Sequence, residues 1–149
     1  MISAFLPGML ELAEQGRPCR ILNVASIAAF QPIPMLATYA ASKAYVLSLT
    51  ESLSEELKDS GVTVTALCPG VTATAMLSNA TSANEKVSSI PSFMVSHVND
   101  VARQGFESCM HGDVICIPGA INQAAMLASR STPKWLLRKL GGIFGRNSL

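Results

Sequence analysis

The sequence has few charged and few aromatic side chains. Of its 149 residues only 14% are Asp, Glu, Lys or Arg and 5% are Phe, Trp or Tyr, with a formal net charge of +1. Nucleic-acid binding needs basic patches and stacking aromatics, and intrinsic disorder needs high charge with low hydrophobicity. The composition argues against both. Its 49% of hydrophobic residues predicts one domain with a packed aliphatic core.

Disulfide and metal-ligand patterns are also missing. The two histidines, His97 and His111, have no metal-ligand spacing to each other or to a cysteine, so no metal site is expected. No C-x-x-C pair occurs among the four cysteines, which are Cys19, Cys68, Cys109 and Cys116. Most of them lie in apolar stretches, where cysteine behaves as a small hydrophobic residue. Reduced thiols of this kind predict a cytoplasmic protein.

The uncharged run over residues 21–42 has the length of a membrane span but not its composition. Asn23, Gln31, Pro32 and Pro34 would leave polar backbone or side-chain groups unsatisfied in lipid. No basic segment opens the chain, so a signal peptide is not expected. The run is better explained as a strand, a loop and the start of a helix.

Charge is distributed unevenly along the chain. Residues 1–129 carry six Lys or Arg against ten Asp or Glu, whereas residues 130–149 carry five Lys or Arg and no acid. We favour a basic C-terminal helix or tail that packs on its own protein or on a second subunit. Contact of residues 133–149 with an anionic membrane surface is the other interpretation.

Hydrophobic spacing predicts helices that alternate with strands. Apolar residues at intervals of three and four predict a helix from Ile2 to Ala13, stopped by Gly16, and a second helix over residues 38–59, ended by Gly61. Short apolar or β-branched runs predict three strands, at residues 19–26, 62–68 and 113–119.

The remaining segments complete this alternation. Further helices are predicted at residues 98–110, 122–129 and 133–140, a proline-broken loop at 27–37, and a loop or short helices at 72–92. Strands that alternate with helices indicate an α/β protein with a parallel sheet covered by helices. Ligands of such sheets bind beyond the carboxyl ends of the strands.

The stretch "TYAASKAYVL" at residues 38–47 has the clearest chemical content. Tyr39 and Lys43 are four residues apart and therefore share one side of a helix. A neighbouring ammonium favours the phenolate form of a tyrosine, so the pair is suited to proton transfer. Ser26 lies thirteen residues earlier, at the end of a predicted strand, where its hydroxyl faces the same edge of the sheet.

These residues stand in a run that resembles a known family. The segment "RILNVASIAAFQPIPMLATYAASKAYVLSLTESLSEELKDSGVTVTALCPGVTATAM" is similar to the catalytic second half of short-chain dehydrogenases/reductases. The resemblance implies a partial Rossmann-type, doubly wound parallel sheet with three strands in this chain. The family's first βαβ units, with their glycine-rich phosphate-binding turn, have no counterpart here, so residues 1–149 are expected to form a single incomplete domain.

The resemblance also implies roles for individual residues. Tyr39 would act as general acid/base on a carbonyl or alcohol oxygen, Lys43 would support Tyr39 and bind the nicotinamide ribose, and Ser26 would position the substrate oxygen. The residues expected to border the nicotinamide are Pro69, Gly70, Val71 and Thr74. The implied cofactor is NAD or NADP, with weak or absent binding because the glycine-rich turn is missing.

Two functions stay open at this point. One is an NAD(P)-dependent oxidoreductase that acts on a small carbonyl or alcohol substrate. The other is a non-catalytic dimerisation or interaction module, because the family commonly forms homo-oligomers through the helix that bears the tyrosine. The sequence does not identify the substrate, since residues 72–96 and the C-terminal helices would shape its pocket.

Overall fold

The structure is a computed structural model that describes residues 2–34, 36–73 and 95–130. Helices and strands alternate along these residues, as the hydrophobic spacing predicts. Their bounds are α1 Ile2–Glu14, β1 Cys19–Val24, α2 Ala37–Glu56, β2 Val62–Leu67, α3 Val98–His111, β3 Ile115–Cys116 and α4 Ala120–Arg130. A short 3₁₀ helix, Ile27–Phe30, occupies the start of the loop predicted between β1 and α2.

The three strands form one parallel sheet in the order β1-β2-β3, which confirms the predicted fold class. β1 pairs with β2 from Cys19↔Val62 to Val24↔Leu67. β3 is shorter than the predicted strand, because only two of its residues pair with β2. Pro118 has no backbone N–H to donate, and Gly119 has a left-handed φ of 87°, so the ladder ends there.

Helices cover both faces of the sheet. Val62 and Val64 of β2 pack against Leu57 and against apolar residues of α1 on one face. Leu67, whose side chain points the opposite way, packs against Val101 of α3 on the other face. Since successive strands step in one direction across the sheet while α2 and α3 lie on opposite faces, the two crossovers have opposite hands.

The contact between α3 and the sheet is close at one residue. A Cβ on Gly105 would lie 2.7 Å from Cδ2 of Leu67, so only glycine allows the helix to approach β2 this closely. Leu67 and Gly105 are both buried. Glycine is usually unfavourable inside a helix, and here the cost is offset by packing.

β1 has a strand neighbour on one side only among the described residues. Its side chains are correspondingly less covered than those of the central strand: Val24 is 56% exposed, whereas Ala66 of β2 is fully buried. The backbone groups of alternate residues on β1 therefore face outward rather than toward β2.

Several sequence predictions concern residues outside the described part of the chain. These are the helix at 133–140, the membrane contact of residues 133–149, the loop over most of 72–92, and Thr74. Among the helices that the structure does describe, none has the length and apolar character needed to cross a bilayer.

Candidate active site

Ser26 lies just beyond the carboxyl end of β1 and is buried. Its Oγ accepts a hydrogen bond from the backbone N–H of Ala28 (3.2 Å), which caps the 3₁₀ helix. The same hydroxyl donates to the carbonyl oxygen of Pro69 (3.4 Å). Ser26 therefore connects the ends of β1 and β2, at the edge where ligands of parallel sheets bind.

Tyr39 and Lys43 lie one turn apart near the start of α2. Nζ of Lys43 is 5.8 Å from the centre of the Tyr39 ring, so the two side chains share one side of the helix as predicted. Tyr39 is 37% exposed, which leaves its phenol accessible from solvent.

Lys43 also reaches the end of β1. Its Nζ donates a hydrogen bond to the carbonyl oxygen of Val24 (3.1 Å), two residues before Ser26. The structure thus brings the ammonium to the strand end that carries the serine hydroxyl.

An apolar cleft of about 560 Å³ lies between α2 and the loop that contains Phe30 and Pro32. On the helix side it is lined by small residues that follow Tyr39, namely Ala40, Ala41 and Ala44.

The segment after β2 passes beside Ser26. The carbonyl of Pro69 accepts bonds from Ser26 Oγ and from the backbone N–H of Ile27 (2.9 Å). The carbonyl of Val71 accepts one from the N–H of Ser96 (2.9 Å). Three of the residues assigned to the nicotinamide, Pro69, Gly70 and Val71, therefore lie at the carboxyl end of β2.

Two polar side chains at the end of β3 were not singled out from the sequence. Asn122, in the first turn of α4, contacts Gly70 and donates from Nδ2 to the carbonyl of Pro118 (2.8 Å). Oε1 of Gln104 accepts a bond from the N–H of Gly119 (3.3 Å). The only sequence signal near them is the pair Pro118-Gly119 at the end of a predicted strand. Such a pair indicates a strand end but does not show which side chains contact it.

The thiol nearest the site is inert. Burial raises the pKa of Cys68 to about 11, against a smaller lowering by a backbone hydrogen bond from Ser26. A thiol in this state is almost fully protonated at neutral pH, whereas the thiolate is the nucleophilic form. The four cysteines are free, and the described residues contain no cluster of three or more His, Cys, Asp or Glu suited to a metal ion.

The chain matches a protein-family model and is similar in sequence to a dehydrogenase-like protein and a reductase. The family model for short chain dehydrogenase matches residues 1–85. Hydroxysteroid dehydrogenase-like protein 1 of Gallus gallus is 44% identical over 78 residues, which are 52% of this chain and 22% of that protein. A diacetyl reductase of Staphylococcus epidermidis is 46% identical over 57 residues, 38% of this chain and 22% of that protein.

Solved structures share the fold. A 3-ketoacyl-(acyl-carrier-protein) reductase from Brucella melitensis, complexed with NADH, is 30% identical with a TM-score of 0.67 and covers 80% of this chain and 50% of its own. A short chain dehydrogenase from Burkholderia cenocepacia, in complex with NADP, is 25% identical with a TM-score of 0.71, covering 93% and 52%. The chain spans about half the length of these structures and about a quarter or less of the two curated relatives.

Proposed function

Because the chain belongs to the short-chain dehydrogenase family, we propose that it carries the catalytic residues of an NAD(P)-dependent oxidoreductase. The reaction is hydride transfer between a nicotinamide and a carbonyl or alcohol substrate. The observation that supports this most directly is Lys43, which lies beside the Tyr39 ring and binds the carbonyl of Val24 next to Ser26.

The donor groups of the site suit a nicotinamide nucleotide. A lysine ammonium has three N–H donors, and one hydrogen bond of Lys43 goes to Val24. The other donors are suited to the ribose hydroxyls. Pro69, Gly70 and Val71 would border the nicotinamide ring, and Thr74 completes this assignment from outside the described residues.

Each of the three side chains has a distinct task. A nicotinamide nucleotide held by Lys43 and bordered by Pro69, Gly70 and Val71 would supply the hydride for the carbonyl carbon, or accept it in the reverse direction. Tyr39 gives its hydroxyl proton to the carbonyl oxygen as that oxygen gains charge, and it recovers a proton from solvent. Lys43 stabilises the resulting phenolate. Ser26 would orient the substrate oxygen by turning its one hydroxyl proton from the Pro69 carbonyl to that oxygen.

Tyr39→Phe tests this assignment. The substitution removes the transferable proton and leaves the ring in place, so we expect the rate to fall about 10²- to 10⁴-fold, the usual contribution of general acid catalysis. The measurement is oxidation of NADH or NADPH, each at millimolar concentration, in the presence of small carbonyl compounds. Diacetyl and a 3-ketoacyl thioester are suitable probes because similar proteins are named for these substrates.

Tyr45→Phe is the matched control, since Tyr45 lies on the same helix and is 68% exposed. Equal rates for the wild type and Tyr39→Phe would contradict the proposed chemistry. We expect this chain alone to hold the dinucleotide weakly, because its sequence has no glycine-rich turn for the pyrophosphate. Absence of turnover in the wild type, together with a stable oligomer, would favour the interaction module.

We also propose that the chain forms a homo-oligomer through the outer side of α2. This helix and α1 cover the same face of the sheet, and each has a large exposed apolar or aromatic side chain, Tyr45 on α2 and Phe5 on α1. Aromatic residues of this kind are enriched at protein interfaces.

We also propose that the protein is located in the cytoplasm, because its four cysteines are free.

A further inference from the structure

Asn122 lies between the two turns that follow β2 and β3. Its Nδ2 donates to the carbonyl of Pro118 on the β3 side (2.8 Å). On the β2 side, its amide packs against Gly70, where an added Cβ would come within 2.5 Å of Oδ1 and 2.6 Å of Nδ2. One side chain therefore contacts both strand ends at the edge of the candidate site.

The turn that anchors Asn122 is itself fixed by two glutamines. The N–H of Gly119 donates to Oε1 of Gln104 on α3 (3.3 Å). Nε2 of Gln123 donates to the carbonyl of Ile117 (2.9 Å). These two bonds hold the segment that carries the Pro118 carbonyl. Asn122 therefore cannot move away from Gly70 without breaking its bond to that carbonyl.

We propose that Asn122 is a positioning residue that locks the Pro69–Val71 turn to the end of β3 and so holds Gly70 and Val71 where they border the nicotinamide. The inference rests on the proposed function, because a fixed position of Gly70 and Val71 matters to the cofactor only if these residues border the nicotinamide. Asn122 acts through Gly70 rather than on the reacting atoms.

The chemistry of the position explains why an asparagine suits it. Aspartate would place a carboxylate against the Pro118 carbonyl and would have no N–H to donate. Leucine has a similar shape but leaves that carbonyl without its bond. Glutamine is longer by one methylene and would carry its amide beyond the position between Pro118 and Gly70.

The lock is tested first without any cofactor, by amide hydrogen exchange of the full chain. The N–H groups of Ile27 and Ser96 donate to Pro69 and Val71, so their exchange reports on the turn. In Asn122→Ala we expect both to exchange about tenfold faster. The amide of Val101, within α3, serves as an internal reference and keeps its rate.

Gln123→Ala is the comparison: it removes one of the two glutamine bonds to the β3 turn but leaves Asn122 in place, so exchange of Ile27 and Ser96 should increase less than in Asn122→Ala. Unchanged exchange of Ile27 and Ser96 in Asn122→Ala would overturn the inference. Asn122→Ser provides a second, smaller truncation in case Asn122→Ala does not fold.

A double substitution separates the lock from general destabilisation. The methyl group of Gly70→Ala overlaps the Asn122 amide in the wild-type background, and Asn122→Ala removes that overlap. We expect Gly70→Ala to lower the urea midpoint clearly in the wild type and only slightly in Asn122→Ala. Equal effects in both backgrounds would show that the two residues act independently and would contradict the lock.

NADH titration then measures the consequence for the cofactor. We expect Asn122→Ala and Asn122→Asp to raise the dissociation constant about fivefold to tenfold, the equivalent of one neutral hydrogen bond. Gln123→Ala should raise it less, because Asn122 keeps its bond to Pro118 and its contact with Gly70. If Lys43→Ala weakens binding while Asn122→Ala does not, the inference fails and the proposed function stands. If neither variant changes NADH affinity, the proposed function fails.

Discussion

At the scale of single residues, two glycines in helices show how position decides the effect of the same change. Gly105 of α3 faces Leu67, which leaves no space for a Cβ, whereas Gly8 of α1 has no atom within 4 Å of that position. Helix propensity favours alanine equally at both positions. Packing opposes it only at Gly105.

Gly105→Ala is therefore expected to destabilise the protein, and Gly8→Ala to stabilise it. The overlap with Leu67 should lower the free energy of unfolding by about 1–3 kcal/mol. At Gly8 the gain in propensity should raise it by up to about 1 kcal/mol. Urea denaturation of the two variants measures both values, and an equal sign for the two would contradict this account.

Cys68 predicts a dependence of stability on pH. Burial raises the pKa of its thiol from an ordinary value of 9.0 to about 11. Between these values the unfolded chain loses the proton while the folded protein keeps it, so stability falls as pH rises. The total loss is about 2–3 kcal/mol.

Urea midpoints at pH 8 and pH 10.5 measure this loss. Cys68→Ala is the comparison, because lysines and tyrosines titrate in the same range in both proteins. The drop from pH 8 to pH 10.5 should be smaller in Cys68→Ala than in the wild type. An identical drop would show that Cys68 does not contribute.

The sequence predicts the helical pair in this site better than it predicts Asn122. The placement of Tyr39 beside Lys43 follows from one turn of helix, a local rule that needs no knowledge of the rest of the fold. The contact of Asn122 with Gly70 joins two turns from different strands, and no local pattern specifies it. Spacing indicates that the Tyr39–Lys43 pair suits proton transfer. The individual roles of Ser26, Tyr39 and Lys43 are implied by the family resemblance.

At the scale of secondary structure, a polar contact joins β1 to α2. Nδ2 of Asn23 donates to Oγ1 of Thr50 (2.9 Å), and that hydroxyl donates to the carbonyl of Val46 (2.8 Å). Thr50 is fully buried. This contact helps to fix the helix that bears Tyr39 against the strand that ends at Ser26.

Thr50→Val is expected to destabilise the protein although it preserves the shape of the side chain. The substitution leaves the Asn23 amide without this acceptor, at a cost of about 1–3 kcal/mol. Thr65→Val is the matched control. Thr65 is equally buried, and its Oγ1 has no hydrogen-bond partner among the described residues.

The control should therefore change stability in the opposite direction, because valine removes a hydroxyl that is buried without compensation. Thermal or urea unfolding of the two variants distinguishes them. Loss of stability in Thr65→Val similar to that in Thr50→Val would mean that the hydroxyl of Thr65 is satisfied.

Element boundaries could be predicted less well than the elements themselves. The helix predicted to reach residue 59 ends at Glu56. The turn that follows it contains two residues with left-handed φ, Asp59 at 64° and the predicted Gly61. Periodicity does not show how many residues a turn uses before the next strand. The 3₁₀ helix after Ser26 was missed because it depends on the Ser26 cap.

At the scale of the whole molecule, the helices on the two faces of the sheet each expose a different aromatic residue. Tyr45 of α2 is 68% exposed on one face, and Phe106 of α3 is 63% exposed on the other. This arrangement follows from the packing of α2 and α3 on different faces of the sheet. The face that carries α1 and α2 is the one that we propose as the oligomer interface.

Tyr45→Arg tests the proposed interface, with Phe106→Arg as its control on the opposite face. An arginine at position 45 would place like charges close together across a two-fold contact, so we expect this variant to be smaller in solution than the wild type. Sedimentation velocity measures the change. Equal behaviour of the two variants, or dissociation by Phe106→Arg alone, would contradict the proposal.

The hydrogen bond from Lys43 to the Val24 carbonyl connects the proposed catalytic lysine to the outer border of β1. Residues 23 and 25 direct their backbone groups toward β2, so the Val24 oxygen faces outward. A carbonyl oxygen has two lone pairs, so a strand that added to β1 would share this acceptor with the ammonium. Because Lys43 keeps donors that Val24 does not use, strand pairing at this border and the proposed ribose contact would be compatible.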